Sequence, residues 1–229
     1  MQLKSFGRPA AARVALCALF LTGTLASATA VKADDDDSDS RDPRIRIGFE
    51  IAPVPLDLRG KDQALVGLGS YFVNSVASCN DCHTQSAVAE YAPGGNPFFG
   101  QPKIVNAAAY LGGGRDFGSL APNTPHIVSR NLTPDRTGRP EGGRSFAEFL
   151  HIMKTGEDLD HVHPPCSATI TTNCFPATLP FDGNLLQIMP WPKFQSMTVH
   201  DLRAIYEYLS AIPCIEGPPA PSVLHNDCT

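Results

Sequence analysis

At 229 residues with 42% hydrophobic side chains, the chain can bury a core and has room for one domain of roughly 150–180 residues plus a leader and a tail. Its 21 prolines and 19 glycines ask for many turns and long irregular loops. The net charge is −5; the first 33 residues hold four basic and no acidic side chains, so without them 14 Lys+Arg face 23 Asp+Glu, a charge of −9. That balance argues against nucleic acid and anionic membrane surfaces as partners.

Residues 1–33 have the form of a secretory signal. Lys4, Arg8 and Arg13 make a positive front, Val14–Leu25 is an apolar run, and Ala28-Thr29-Ala30 or Val31-Lys32-Ala33 offers a cleavage site. The run is too short to span a bilayer comfortably, and Cys17 within it reads as a small hydrophobe. A periplasmic mature chain with no membrane span is expected. Residues 34–59 follow as a linker: Asp34–Asp39 is acidic and low in complexity, and Arg44–Ile51 alternates, with Ile45, Ile47, Phe49 and Ile51 on one side. The alternation predicts a short extended segment lying on the domain.

A helix is expected from about Asp62 to Ala77, with Leu65, Leu68, Phe72 and Val76 as its apolar stripe. Gly67 and Gly69 cost it roughly 1 kcal/mol each relative to Ala, which suggests close approach by another backbone. The helix runs directly into Cys79-Asn80-Asp81-Cys82-His83. Two cysteines two residues apart, followed at once by histidine, form the attachment signature of haem c. Each thiol can add across one vinyl group, and the tether lets His83 reach the iron as proximal ligand. A redox CxxC would want a βαβ context, and zinc would want a second ligand pair.

Some sixty residues rich in Gly, Pro and Asn follow, including Gly94-Gly95-Asn96-Pro97, Gly112-Gly113-Gly114 and Asn131-Leu132-Thr133-Pro134-Asp135. They show no confident regular element; such a loop can wrap a macrocycle edge. Ser145 and Glu148 then make a capping box for a helix with Phe146, Phe149, Leu150 and Met153 on its apolar face, ended by Gly156. Met153 reads as a core residue of that face. Glu157–Asn184 carries His161, His163, Cys166 and Cys174 and reads as a disulfide-closed loop, with an exposed histidine pair favoured over a metal site. With Cys17 removed and Cys79 and Cys82 on haem, Cys166, Cys174, Cys214 and Cys228 remain, an even number with three possible pairings. Locality favours Cys166–Cys174 and Cys214–Cys228.

Met189-Pro190-Trp191-Pro192 precedes the last helix, Thr198 to Ala211, capped by Thr198 and with Leu202, Ile205, Tyr206, Leu209 and Ile212 as its buried stripe. Met189 is the candidate sixth ligand, because an extended residue before proline in a loop can aim a thioether at iron. Met197 is its rival but stands where an apolar residue staples a helix start; His126, His163 and His200 lack a comparable setting. Trp191 is expected beside the haem edge, and Cys214–Cys228 pins the Pro-rich tail 214–229.

With CNDCH, NLTPD, SFAEF, KTG and MPWPKFQSMTVHDLRAIYEYLSAIP in hand, Gly60–Pro213 resembles the single-haem cytochrome c family, and more nearly the cytochrome domains of periplasmic dehydrogenase complexes. The resemblance implies an all-α cytochrome c fold over 60–213, about three main helices around one covalent haem. It carries over Cys79 and Cys82 as attachment points and His83 and Met189 as ligands. It departs in two ways: those subunits usually carry three haem motifs, and the loop 157–184 is longer here. The expected function is single-electron transfer, as a soluble carrier or as the electron-accepting subunit of a dehydrogenase, with redox proteins such as a dehydrogenase or terminal oxidase as partners. The alternative is a haem enzyme of peroxidase type, or a gas or redox sensor, with a labile sixth position.

Overall fold

A computed structural model gives the structure of the protein and describes residues 42–120, 126–159, 182, 184–220 and 222–229. The expected leader, the acidic run Asp34–Asp39, His161, His163 and the Cys166–Cys174 pair lie outside these residues.

The first described element corrects an expectation. Pro43–Ile51 is an α-helix (α1) and not an extended segment. Asp42 caps it by accepting from Arg44 N at 2.9 Å, and Pro43 occupies the first turn, where its missing N–H costs nothing. The alternation Ile45, Ile47, Phe49, Ile51 disguised a helical face of Ile45, Gly48 and Phe49. That face meets the next helix, while Ile51 is exposed.

Asp62 caps α2, Gln63–Tyr71, which continues as a π-helical turn over Phe72–Val76. Val66, Leu68, Phe72 and Val73 are buried, but the wider π turn carries Val76 past the buried face into solvent. The two glycines do what their cost suggested, each toward a different neighbour. A Cβ on Gly67 would meet Ile45 and Phe49 of α1 at 2.7–2.8 Å, and Ser70 Oγ donates across the same contact to Gly48 O at 2.6 Å. A Cβ on Gly69 would stand 1.9 Å from Ala204 O in the last helix. Neither contact admits a side chain.

Ser78, in left-handed backbone, breaks the rod and turns the chain into the short helix α3, Cys79–Cys82. The glycine-rich middle is more ordered than its composition suggested. It contains a 3₁₀ turn at Pro97–Phe99 and an antiparallel pair, β1 (Asp116–Ser119) and β2 (His126–Val128), with a register irregularity between Asp116 and Ser119. The missed signal is hydrogen bonding, since Gly114 N donates to Ser129 O and Ser129 N to Arg115 O, both at 2.9 Å.

α4, Phe146–Thr155, has the full capping box between Ser145 and Glu148 and ends on left-handed Gly156. A short helix α5, Trp191–Phe194, leads to α6, Val199–Leu209, capped by Thr198. Leu202, Ile205, Tyr206, Leu209 and Ile212 are all buried, as their spacing required. The core lies where α2 crosses α6, closed by Tyr110 and Leu111 of the glycine-rich middle and by Phe149 and Met153 of α4. The tail returns to the body and is tied by the Cys214–Cys228 disulfide. Its Asn226 is buried, and the Nδ2 group donates to Thr133 Oγ1 at 3.0 Å and to Pro134 O at 3.0 Å, latching the tail onto Asn131–Asp135. Among the described residues no helix is long and apolar enough to cross a membrane.

Candidate functional site

Between α3, the β1–β2 pair, α4, the segment Leu185–Pro190 and α6 lies one cavity, with about 1240 Å³ of empty space counted out to its open mouth. Cys79, Cys82 and His83 form one wall and Met189 stands in another, 106 positions beyond His83 in sequence. Phe149, Ile152 and Met153 from α4 and Ile205 and Leu209 from α6 supply an apolar surround. The amphipathic faces of these helices therefore serve both the core and the cavity.

His83 is oriented by a specific partner. Its Nδ1 lies 2.9 Å from Arg130 O, so Nδ1 carries the proton and donates, leaving the Nε2 lone pair as the ring's remaining coordinating atom. Burial lowers the pKa of His83, against the raising effect of the Arg130 carbonyl, so the ring is neutral near pH 7. Local structure builds this wall tightly. Leu111 N donates to Asn80 Oδ1 at 2.9 Å, Gly113 N donates to His83 O at 3.0 Å, and Arg115 reaches Asp81 O with its guanidinium. Asn80, inside the Cys-x-x-Cys, is thus a buried structural acceptor.

The two thiols are free and not activated. Burial, with the neighbouring Cys82, pushes Cys79 up to about 12, and burial raises Cys82 as well, although Arg115 opposes it. This shift is opposite to the lowered pKa of a reactive attacking thiol. Among the described residues no three His, Cys, Asp or Glu side chains converge as a tetrahedral zinc site would need.

Two buried charges, Arg130 and Asp158, and the partly buried Glu141 also line the cavity. The Arg130 guanidinium pairs with Asp158 and lies 3.6 Å from Glu141. Asp158 sits at the foot of the 157–184 segment, where Glu157 bridges to Leu185 and Asp158 N donates to Asn184 O at 2.7 Å. Sequence reading singled out Asn131–Asp135 but not Arg130, the residue just before it. No pattern marks a residue whose backbone carbonyl is the functional atom.

Of the residues expected at a site, Cys79, Cys82, His83 and Met189 come together around one space. Met153, read as core, is buried and also faces that space. Met197 packs on the core and is not among the lining residues. Trp191 stands behind the wall: its indole lies over Gly156, where a Cβ would come within 2.2 Å of the ring, and its Nε1 donates to Leu186 O at 3.1 Å. It braces the Met189 segment without lining the cavity. His126 pairs with Asp116 on the hairpin and is exposed, and His200 is exposed in the first turn of α6; neither lines the cavity.

The residues present fit haem in donor set and polarity: a neutral imidazole with one nitrogen committed, two thiols two residues apart, a methionine thioether across the cavity lining, and an apolar surround. Comparison with family models, curated proteins and solved structures finds no match to this chain.

Proposed function

We propose that this protein is a periplasmic single-haem c-type cytochrome that carries single electrons, either as a diffusing carrier or as the electron-accepting subunit of a dehydrogenase. The observation that carries the reading is the gathering of Cys79, Cys82, His83 and Met189 around one apolar cavity, with His83 Nδ1 already held by Arg130 O. On this reading Cys79 and Cys82 would hold the macrocycle by thioethers, and His83 and Met189 would ligate its iron. Bound there, haem supplies a one-electron couple, and methionine ligation raises its potential.

The chain's own residues do the rest. Phe149, Ile152, Ile205 and Leu209 exclude water from the faces of the cavity, and Trp191 braces the segment that bears Met189. Met153 fills space on α4, where a helical side chain has less freedom to turn toward a metal. Glu141 and Asp158 both pair with Arg130, so the cavity offers no isolated acid–base group among these three for substrate chemistry. That supports transfer of electrons over turnover of peroxide. Redox proteins, a dehydrogenase or a terminal oxidase, are the partners this function requires.

The test is acid–acetone extraction of the denatured protein, followed by the visible spectrum of the oxidised native form. Colour that stays on the polypeptide and a six-coordinate His/Met spectrum are expected. Colour partitioning into solvent rejects attachment, and an open sixth position with rapid peroxide turnover moves the protein to the haem enzymes.

A further inference from the structure

Gly112-Gly113-Gly114 has no part in the function argued so far, yet it lies where His83 meets its partner. Gly113 N donates to His83 O at 3.0 Å, while His83 Nδ1 donates to Arg130 O at 2.9 Å. The third side of this triangle is a contact that only glycine permits. A Cβ on Gly113 would stand 2.4 Å from both the carbonyl carbon and oxygen of Arg130, and 2.6 Å from Asn131 N. The φ of Gly113 is +72°, which disfavours a side chain as well. Hydrogen bonds on either side, Gly114 N to Ser129 O and Leu132 N to Leu111 O, both 2.9 Å, keep the two segments from separating.

The same peptide is gripped from its side chain. Arg130 is buried, and its guanidinium pairs with Asp158 and approaches Glu141. Breaking one partner of a buried pair leaves an uncompensated charge, so the side chain resists movement of its own backbone.

We propose that Gly113 and Asp158 are positioning residues for His83, acting through the Arg130 peptide: one from the backbone side and one from the side-chain side, they hold the carbonyl that accepts the Nδ1 proton. The proposal rests on the carrier reading, in which Nε2 of His83 binds iron. A hydrogen bond at Nδ1 raises the basicity of the ring as a ligand and fixes its orientation. A more basic ligand favours the ferric state, so loosening the carbonyl raises the reduction potential.

Three variants of the exported, haem-loaded protein decide it: Gly113→Ala, Asp158→Asn and Gly100→Ala. Gly100 has a φ of +73° and nothing within 4 Å of a Cβ, so it isolates backbone strain from close contact. The readouts are covalent haem content, the Nδ1–H proton resonance of His83, and, for the charge-neutral Gly113→Ala, the potential. Haem content should equal that of wild type in all three. In Gly113→Ala and Asp158→Asn the Nδ1–H resonance should shift and exchange with solvent roughly tenfold faster, as loss of one ordinary hydrogen bond allows. The potential of Gly113→Ala should rise, and Gly100→Ala should match wild type throughout. A haem-loaded wild type with an unmoved resonance in both test variants overturns the positioning role. If Gly113→Ala does not accumulate as folded protein, the resonance in Asp158→Asn alone decides. A wild type without covalent haem overturns the carrier reading and the ligand role of Nε2 with it.

Discussion

The helix-crossing floor of the fold and the loop walls around the cavity are built on different physical principles. The floor, where α2 crosses α1 and α6, is held by backbone contact through Gly48, Gly67 and Gly69 and by fully buried Val66, Leu68, Val73, Leu202 and Ala204. The walls, Ser129 to Leu132 and Leu185 to Pro190, and the Leu111–Gly114 segment that backs His83 rest on individual hydrogen bonds such as Leu111 N to Asn80 Oδ1 and Trp191 Nε1 to Leu186 O. Stability should therefore live mainly in the floor and chemistry in the walls.

The most damaging test of that division is Gly69→Ala. Its Cβ would press on a main-chain oxygen of α6 that has no rotamer to escape through. A loss of at least ~3 kcal/mol is expected, at the upper end of over-packing effects, read as a lowered midpoint in chemical denaturation. A stable Gly69→Ala protein would show the floor to be more plastic than its packing implies.

Next comes the latch between wall and tail. Replacing Cys214 and Cys228 by serine opens a link across 14 positions, and the expected cost is about 2–3 kcal/mol on the chain-entropy argument. The protein should then melt at lower temperature with its visible spectrum unchanged, because the latch lies on Thr133 and Pro134 and not on the cavity lining.

Met189→Ala sharpens the comparison from the wall side. Met189 is only partly buried, so the fold should lose about 1–2 kcal/mol, less than a fully buried methionine would. On the proposed carrier reading the site should change far more: haem stays attached, the potential falls, and peroxide and added ligands reach the iron. An unchanged spectrum and potential would remove Met189 from the ligand role and leave Met153, which faces the same space, to be tried.

The smallest effect belongs to Glu148. Hydrogen bonds from the Ser145 backbone and side chain hold its carboxyl below the ordinary 4.5. A lowered folded pKa means that the stabilisation is present above pH 4.5 and is lost as the pH falls through the lowered value. Glu148→Gln should cost about 0.5 kcal/mol at neutral pH for this exposed cap, and should flatten the acid limb of stability against pH.

Sequence periodicity was a good guide to α4 and α6, because an amphipathic stripe between a capping residue and a terminating glycine or proline has few other ways to fold. It misled at Arg44–Ile51. There apolar residues at every second position fit a strand as well as a helix, and the Asp42-Pro43 start signal was the stronger cue. It also overshot at Val76, which the π turn over Phe72–Val76 leaves in solvent.

The sequence by itself determined the local chemistry: two thiols and an imidazole on one short segment, a methionine before proline ahead of the last helix, and glycines where backbones meet. These follow from spacing, and spacing survives without a fold. Only the tertiary structure decided that Cys82, His83 and Met189 face one space, that Trp191 stands behind the wall, and that Arg130 supplies the carbonyl for His83. A carbonyl is carried by every residue and marks none, so its use depends on which peptide the packed chain brings to the ring.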